Sequence, residues 1–200
     1  KVNTSKSNIM IFRNSGRFRD LTVWRLGRSE EILQVVEEYK YLGIWFKSSG
    51  LTQYTLQKRG EMGNRAKFLL FKSLRNYEFN PSLALRLFDI LVASVLLYGV
   101  EAWGYLPLSG HIEIVHTSFL RQYLGVRKST PLLALYGELG RLPLFYLGTL
   151  RMLRYWSKLF SLPENRYAKI AYRDALDLYR TKPQYSPWCT FISFALSYVS

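Results

Sequence analysis

The stretch Glu38-Tyr39-Lys40-Tyr41-Leu42-Gly43-Ile44-Trp45-Phe46, EYKYLGIWF, decides how the N-terminal part of this chain is read. Its aromatic and β-branched residues favour a strand, and strict alternation sends Leu42, Ile44 and Phe46 to one face and Tyr39, Tyr41, Gly43 and Trp45 to the other. The first face reads as core. The second is an aromatic surface with a notch at Gly43, where a strand former would stabilise more. A bare backbone inside a strand marks either a β-bulge packed against a helix or a place where another backbone or a ligand comes close, and alternation leaves both open.

Upstream of this stretch, NIMIFR, a turn at Asn14-Ser15-Gly16, LTVWRL and then ILQVVEEYKYLGIWF alternate short β-rich runs with turn residues. They predict a small antiparallel β-sheet. From Leu51 onward the apolar period becomes helical, with helices predicted near Thr52 to Tyr77, Leu83 to Trp103, His111 to Leu124, Leu132 to Leu139, Leu144 to Phe160, Tyr167 to Tyr179 and Trp188 to Tyr198. Asn80-Pro81 supplies an N-cap followed by proline at the first helical position, while Gly140 would end one helix and Pro143 start the next. The fold class is therefore α+β, a small sheet followed by a mainly α-helical region.

The 200 residues hold 28 Lys and Arg against 14 Asp and Glu, a net charge of +14. The excess is spread along the chain, with 15 basic and 7 acidic residues in the first 80 and 13 and 7 in the rest. It is no tail. Such a field favours a polyanionic partner, nucleic acid first, with an acidic membrane surface or an acidic protein chain as the other readings. The lone cysteine, Cys189, rules out an intrachain disulfide and fits a reducing intracellular compartment, nuclear or cytoplasmic. The longest apolar run, Ile90 to Val100, is 11 residues between Asp89 and Glu101, short of the roughly 20 a membrane-spanning helix needs, so it reads as a core helix and no membrane partner is expected. The opening KVNTSKSNIMIF carries no signal peptide and reads as mid-domain sequence, as a fragment of a longer polypeptide would.

Catalytic chemistry is hard to find in these residues. The aspartates are Asp20, Asp89, Asp174 and Asp177, with no adjacent pair to hold two divalent metals. Asp174 and Asp177 lie near Arg173 and Arg180 and read as intrahelical ion pairs, and His111 and His116, five apart, share no helix face for a metal even with Glu113 between them. Binding is easier to argue. In the first long helix Lys58, Arg65 and Lys72 recur every seven residues on one stripe, beside an apolar stripe of Met62, Ala66, Leu69 and Leu70. Arg59, Lys67 and Arg75 would widen the positive surface, which can touch phosphates or remain a solvated face. Further on, Glu101 reads as a half-buried carboxylate with Arg121 or Arg141 as partner, Tyr155, Trp156 and Phe160 as a core stripe, and the final SPWCTFISFALSYVS as an apolar helix with an exposed side.

Several motifs in order carry a resemblance: VNTSKSNIMIF with YKYLGI, then LFDILVASVLLYGVEAWG, FLRQYLGVRKSTP and LYGELGRLPLFYLGTLRMLRYW. Over roughly residues 1 to 160 they resemble the end of the palm, the thumb and the region beyond it in non-LTR (LINE-type) retrotransposon reverse transcriptases. The resemblance implies residues 1–48 as the end of the palm with its primer-grip hairpin, 49–128 as a helical thumb and 129–200 as a helical downstream region. It places Tyr39, Lys40, Tyr41, Leu42 and Gly43 at the grip, and the thumb helix with Lys58, Arg65 and Lys72 against an RNA template and DNA primer. Lys6 falls at the lysine of the family's first motif, but Ser7-Asn8 departs from the pattern after it, so no catalytic residue is assigned. The catalytic aspartates and their Mg2+ would belong to the fingers and palm of the full-length enzyme, and the chain by itself would not polymerise. An autonomous basic helical module for RNA or a protein partner, or a decayed remnant, are the other readings.

Overall fold

The structure, a computed structural model, describes residues 7–12, 23–25, 32–50, 53–74, 80–108 and 110–198. Lys6, the Asn14-Ser15-Gly16 turn and Arg75 lie outside them. The chain divides into two compact units, Lys1–Lys58 and Arg59–Ser200.

In the first unit the strands form two small sheets. Strands β1 (Asn8–Ile9), β2 (Trp24–Arg25) and β3 (Ile32–Val35) lie in the order β1-β3-β2, with Leu33 buried. Here β1 runs parallel to β3, Ile9 opposite Val35, whereas β2 is antiparallel to it, Trp24 opposite Leu33. Alternation in a sequence reports which face a residue takes and is silent on strand direction, which is why a purely antiparallel sheet was expected. Strands β4 (Glu38–Tyr41) and β5 (Ile44–Lys47) make a separate antiparallel hairpin.

Helix α1 (Gln53–Leu74) begins in this unit and continues into the second, which holds α2 (Pro81–Phe88), α3 (Ser94–Leu96), α4 (Val100–Trp103), α5 (His111–Leu124), α6 (Leu132–Glu138), α7 (Leu144–Ser161), α8 (Tyr167–Thr181) and α9 (Pro187–Leu196). Asn80 caps α2 as expected, its Oδ1 accepting from the Ser82 N–H at 2.7 Å with Pro81 at the first helical position. The single helix predicted over Leu83 to Trp103 is broken. A π-type turn spans Asp89–Ala93, and the chain reverses its twist at Gly99, φ 69°, before α4. The chain stays helical through the π-type turn into α3, and Ile90 and Leu91 remain exposed; in a run apolar at nearly every position, periodicity shows neither the turn nor the break before α4. Phe88, Val92, Leu96, Trp103 and Phe119 form the centre of the core, with the Phe88 and Phe119 rings 4.5 Å apart. Among the described residues no helix is long and apolar enough to cross a membrane.

The inner face of α1 differs from the expected Met62, Ala66, Leu69 and Leu70 stripe, because Leu69 is 62% exposed. In the second unit Leu70 points inward as expected, joined by Arg59, Gly60 and Gly63. A Cβ on Gly63 would lie 2.2 Å from Cδ2 of Leu96, and one on Gly60 would lie 2.8 Å from the His111 carbonyl oxygen. The two glycines let α1 lie close against α3 and the start of α5.

One buried carboxylate joins three helices. Glu113 of α5 accepts the Tyr136 hydroxyl from α6 at 2.8 Å through Oε1, and the Leu144 N–H at the start of α7 at 2.8 Å through Oε2. His116 Nδ1, 2.7 Å from Oε1, completes the cluster, and its ring stacks on Phe88. The helix-opening N–H of Leu144 is one of the donors a helix start leaves unpaired, so the carboxylate acts as a cap from another element.

Two predictions follow from this packing. Ala for Gly137 in α6, where a Cβ meets nothing within 4 Å, should raise stability by about 0.5 to 1 kcal/mol through helix propensity. The same change at Gly63 should lower it by about 1 to 3 kcal/mol, because Leu96 is fully buried and cannot swing away. Denaturant melts of the two variants check this, and equal gains would show that α1 does not approach so closely. The second prediction concerns Tyr136, whose phenol is raised above its ordinary value of 10.0, first by burial and then by the hydrogen bond and charge of Glu113. Above that ordinary value the unfolded chain loses a proton the folded chain keeps, so this contribution is present below about pH 10 and lost as pH rises. Stability should therefore fall more steeply in the parent chain than in Tyr136→Phe between about pH 9 and 11, read from melts across that range.

Candidate nucleic-acid interface

The hairpin reverses at Leu42-Gly43, both with positive φ, 46° and 82°. Tyr41 pairs with Ile44 directly across it, so the loop has two residues, and a two-residue hairpin loop of this kind requires left-handed backbone at both positions. Gly43 is thus neither a bulge nor a strand interior but the second residue of a tight turn. The faces read from alternation change with it. The register sets odd positions of β4 opposite even positions of β5, so Tyr39 faces with Phe46 and Tyr41 with Ile44, while Lys40 faces with Trp45 and Glu38 with Lys47. Leu42, expected in the core, is 73% exposed at the tip.

The face carrying Lys40 and Trp45 is where the charges gather. Trp45 stands edge-on to Tyr54 of α1, with ring centroids 6.2 Å apart, and its carbonyl accepts the Thr55 hydroxyl at 2.7 Å, which ties the hairpin to the first turns of the helix. Around these rings lie three ammonium groups: Lys40 Nζ 5.7 Å from the Trp45 centroid, Lys58 Nζ 5.9 Å from Trp45 and 5.3 Å from Tyr54, and Lys47 Nζ 5.3 Å from Tyr54. Glu38 answers part of this charge, 3.6 Å from Lys47 and accepting the Tyr54 hydroxyl. Of the residues expected at a binding surface, Lys40 and Lys58 come together here, and Tyr39, Tyr41, Leu42 and Gly43 form the other face and the tip. The sequence reading passed over Lys47 and Tyr54. The signal was available for Tyr54, which lies four residues before Lys58 on a helix.

In the second unit Arg65 and Lys72 are on the solvent side of α1, with Phe68 and Leu69 exposed between them. Arg59 and Lys67 do not widen that surface. Arg59 is 3% exposed, donates to the Val95 carbonyl at 3.4 Å and lies 4.7 Å from the Tyr98 ring, and its pKa is lowered by desolvation. Lys67 donates to the Ser118 hydroxyl at 2.6 Å, and burial lowers its pKa as well. Both are structural cations.

The remaining charged residues are placed as follows. Arg141 forms a two-pronged ion pair with Asp89, and Arg121 donates to the Thr130 carbonyl, so neither serves Glu101; it is the Glu101 carbonyl that accepts, from the Trp188 indole at 2.8 Å. Asp177 pairs with Arg180 as expected, but Arg173 reaches Glu164 instead of an aspartate of its own helix. Among the described residues no three His, Cys, Asp or Glu side chains gather in a way that could hold a metal ion. In the Glu113, His116 and Tyr136 cluster, Glu113 and His116 are buried and Tyr136 is half-buried.

These features define an α+β chain with a lysine-rimmed aromatic hairpin. No family model matches it, and no solved structure does. The chain is similar to an uncharacterized transposon-derived protein of Caenorhabditis elegans, 28% identical over 132 residues, a match covering 63% of this chain and 44% of that protein. The chain therefore spans less than half the length of this curated relative.

The turn yields a direct prediction. Leu at φ 46° is strained, and Asn-Gly is the favoured pair for such a loop, so Leu42→Asn should stabilise the first unit by about 1 kcal/mol and Gly43→Val should destabilise it by about 1 to 2 kcal/mol or more. Thermal melts of the two variants decide it, and a tolerated Val at position 43 would contradict the turn.

Proposed function

We propose that this chain is the palm-end hairpin, thumb and downstream region of a non-LTR retrotransposon reverse transcriptase, and that it grips the RNA template and DNA primer as a duplex. One observation carries the reading: Lys40, Lys47 and Lys58 converge on the Trp45 and Tyr54 rings at the base of a tight hairpin. Ammonium groups placed over ring faces are held in a common orientation, in which they can meet phosphates as well. The rings themselves offer an apolar surface to sugars or a terminal base. The order of the sequence motifs and the similarity to a transposon-derived protein support the same reading. Residues 1–48, 49–128 and 129–200 would then be palm end, thumb and downstream region, with Arg65 and Lys72 as further phosphate contacts. Fingers and the remaining palm of the parent polypeptide would supply the metal-binding carboxylates.

Binding of an RNA–DNA duplex should weaken steeply with salt as counterions are released. The triple variant Lys40→Ala, Lys47→Ala, Lys58→Ala should flatten the log–log salt slope by roughly 2 to 3 units, and Arg65→Ala with Lys72→Ala by up to about 2 more. Fluorescence anisotropy across a salt series measures both. A slope unchanged in the triple variant would refute the grip.

A further inference from the structure

The hairpin reading leaves the last third of the chain without a role, yet this region holds an open cleft of about 510 Å³ where α7 passes into α8. Its size is in the range of small-ligand clefts, about 300 to 1,000 Å³. Leu159 and Leu162 form an apolar floor, and Tyr155 and Tyr167 stand over it. Tyr167, the first residue of α8, is 91% exposed, and Tyr155, expected in the core from its spacing, faces the cleft instead.

Two cations, Lys158 and Arg166, line the same cleft. Neither forms an ion pair among the described residues, and the carboxylate next to them in the chain, Glu164, is occupied by Arg173 at 2.8 Å and Lys169 at 3.7 Å. An uncompensated guanidinium and ammonium beside bare phenol rings and an apolar floor are complementary to a ligand that is flat and apolar at one end and anionic at the other. An unpaired nucleotide has this form. An acidic peptide offers the charge without the flat ring, and a duplex keeps its bases stacked away from the tyrosines.

We infer that the α7–α8 cleft binds a nucleotide of a single-stranded nucleic acid, its base stacked on Tyr167 or Tyr155 and its phosphate held by Lys158 and Arg166. This site shares no residue with the hairpin, so the two readings fail on different ligands. The test is anisotropy titration of the full chain with a labelled single-stranded oligonucleotide of about ten residues and, in parallel, with an RNA–DNA duplex lacking overhangs. Tyr167→Ala should weaken single-strand binding about tenfold, Tyr167→Phe should retain it, and the duplex should be unaffected by either. Lys158→Ala with Arg166→Ala should flatten the single-strand salt slope by about 1.4 units. Because these side chains are on the surface, the variants should melt with the parent chain. Single-strand affinity and slope unchanged in both sets, or a poly-glutamate peptide displacing the oligonucleotide at equal charge concentration, would overturn the inference.

Discussion

Everything proposed for the first unit depends on a two-residue reversal. Because the chain turns back at Leu42-Gly43 with both residues in left-handed backbone, the register of β4 against β5 is set, and with it the partners of every side chain in the hairpin. A turn one residue longer would put Lys40 and Trp45 on opposite faces. As built, Trp45 shares a face with Lys40, meets Tyr54 edge-on and anchors Thr55 through its carbonyl. The lysines surrounding those rings are brought together from two strands and a helix by that one constraint.

The second unit is organised by different means. Glu113 gives its two oxygens to the Tyr136 hydroxyl and the Leu144 N–H, so that α5, α6 and α7 share one buried acceptor, and removing it would leave donors from two other helices unpaired. Gly60 and Gly63 set how near α1 comes. The high positive charge of the chain is accordingly of two kinds. Arg59 and Lys67 hold helices together through the Val95 carbonyl and the Ser118 hydroxyl, while Arg65, Lys72, Lys158 and Arg166 lie at the surface.

Much of this was legible in the sequence. The α+β division, the start of α2 at Asn80-Pro81 and the extents of α5 and α7 follow from caps and apolar period, which are local signals. The hairpin turn was not, because Leu42-Gly43 lacks the Asn-Gly signature and the surrounding residues alternate without interruption across it. The inward turn of Arg59 was hidden because its partners, the Val95 carbonyl and the Tyr98 ring, come from α3 and the turn after it. Glu113 showed only as an acid between two histidines, since its role rests on a backbone N–H 31 residues away. What sequence could supply at the hairpin was the set of residue types, lysine with tryptophan and tyrosine. Their convergence required the register.

Photocrosslinking tests whether the Lys40–Trp45 face of the hairpin meets the primer end, as we propose. An RNA–DNA duplex carrying a photoreactive base at the DNA 3′ end would be irradiated with the chain and the adducts located by mass spectrometry of the digested protein. Adducts should concentrate between Glu38 and Lys58 and fall when Lys40, Lys47 and Lys58 are replaced by alanine. Adducts confined to other segments, with the hairpin unlabelled, would contradict the proposal.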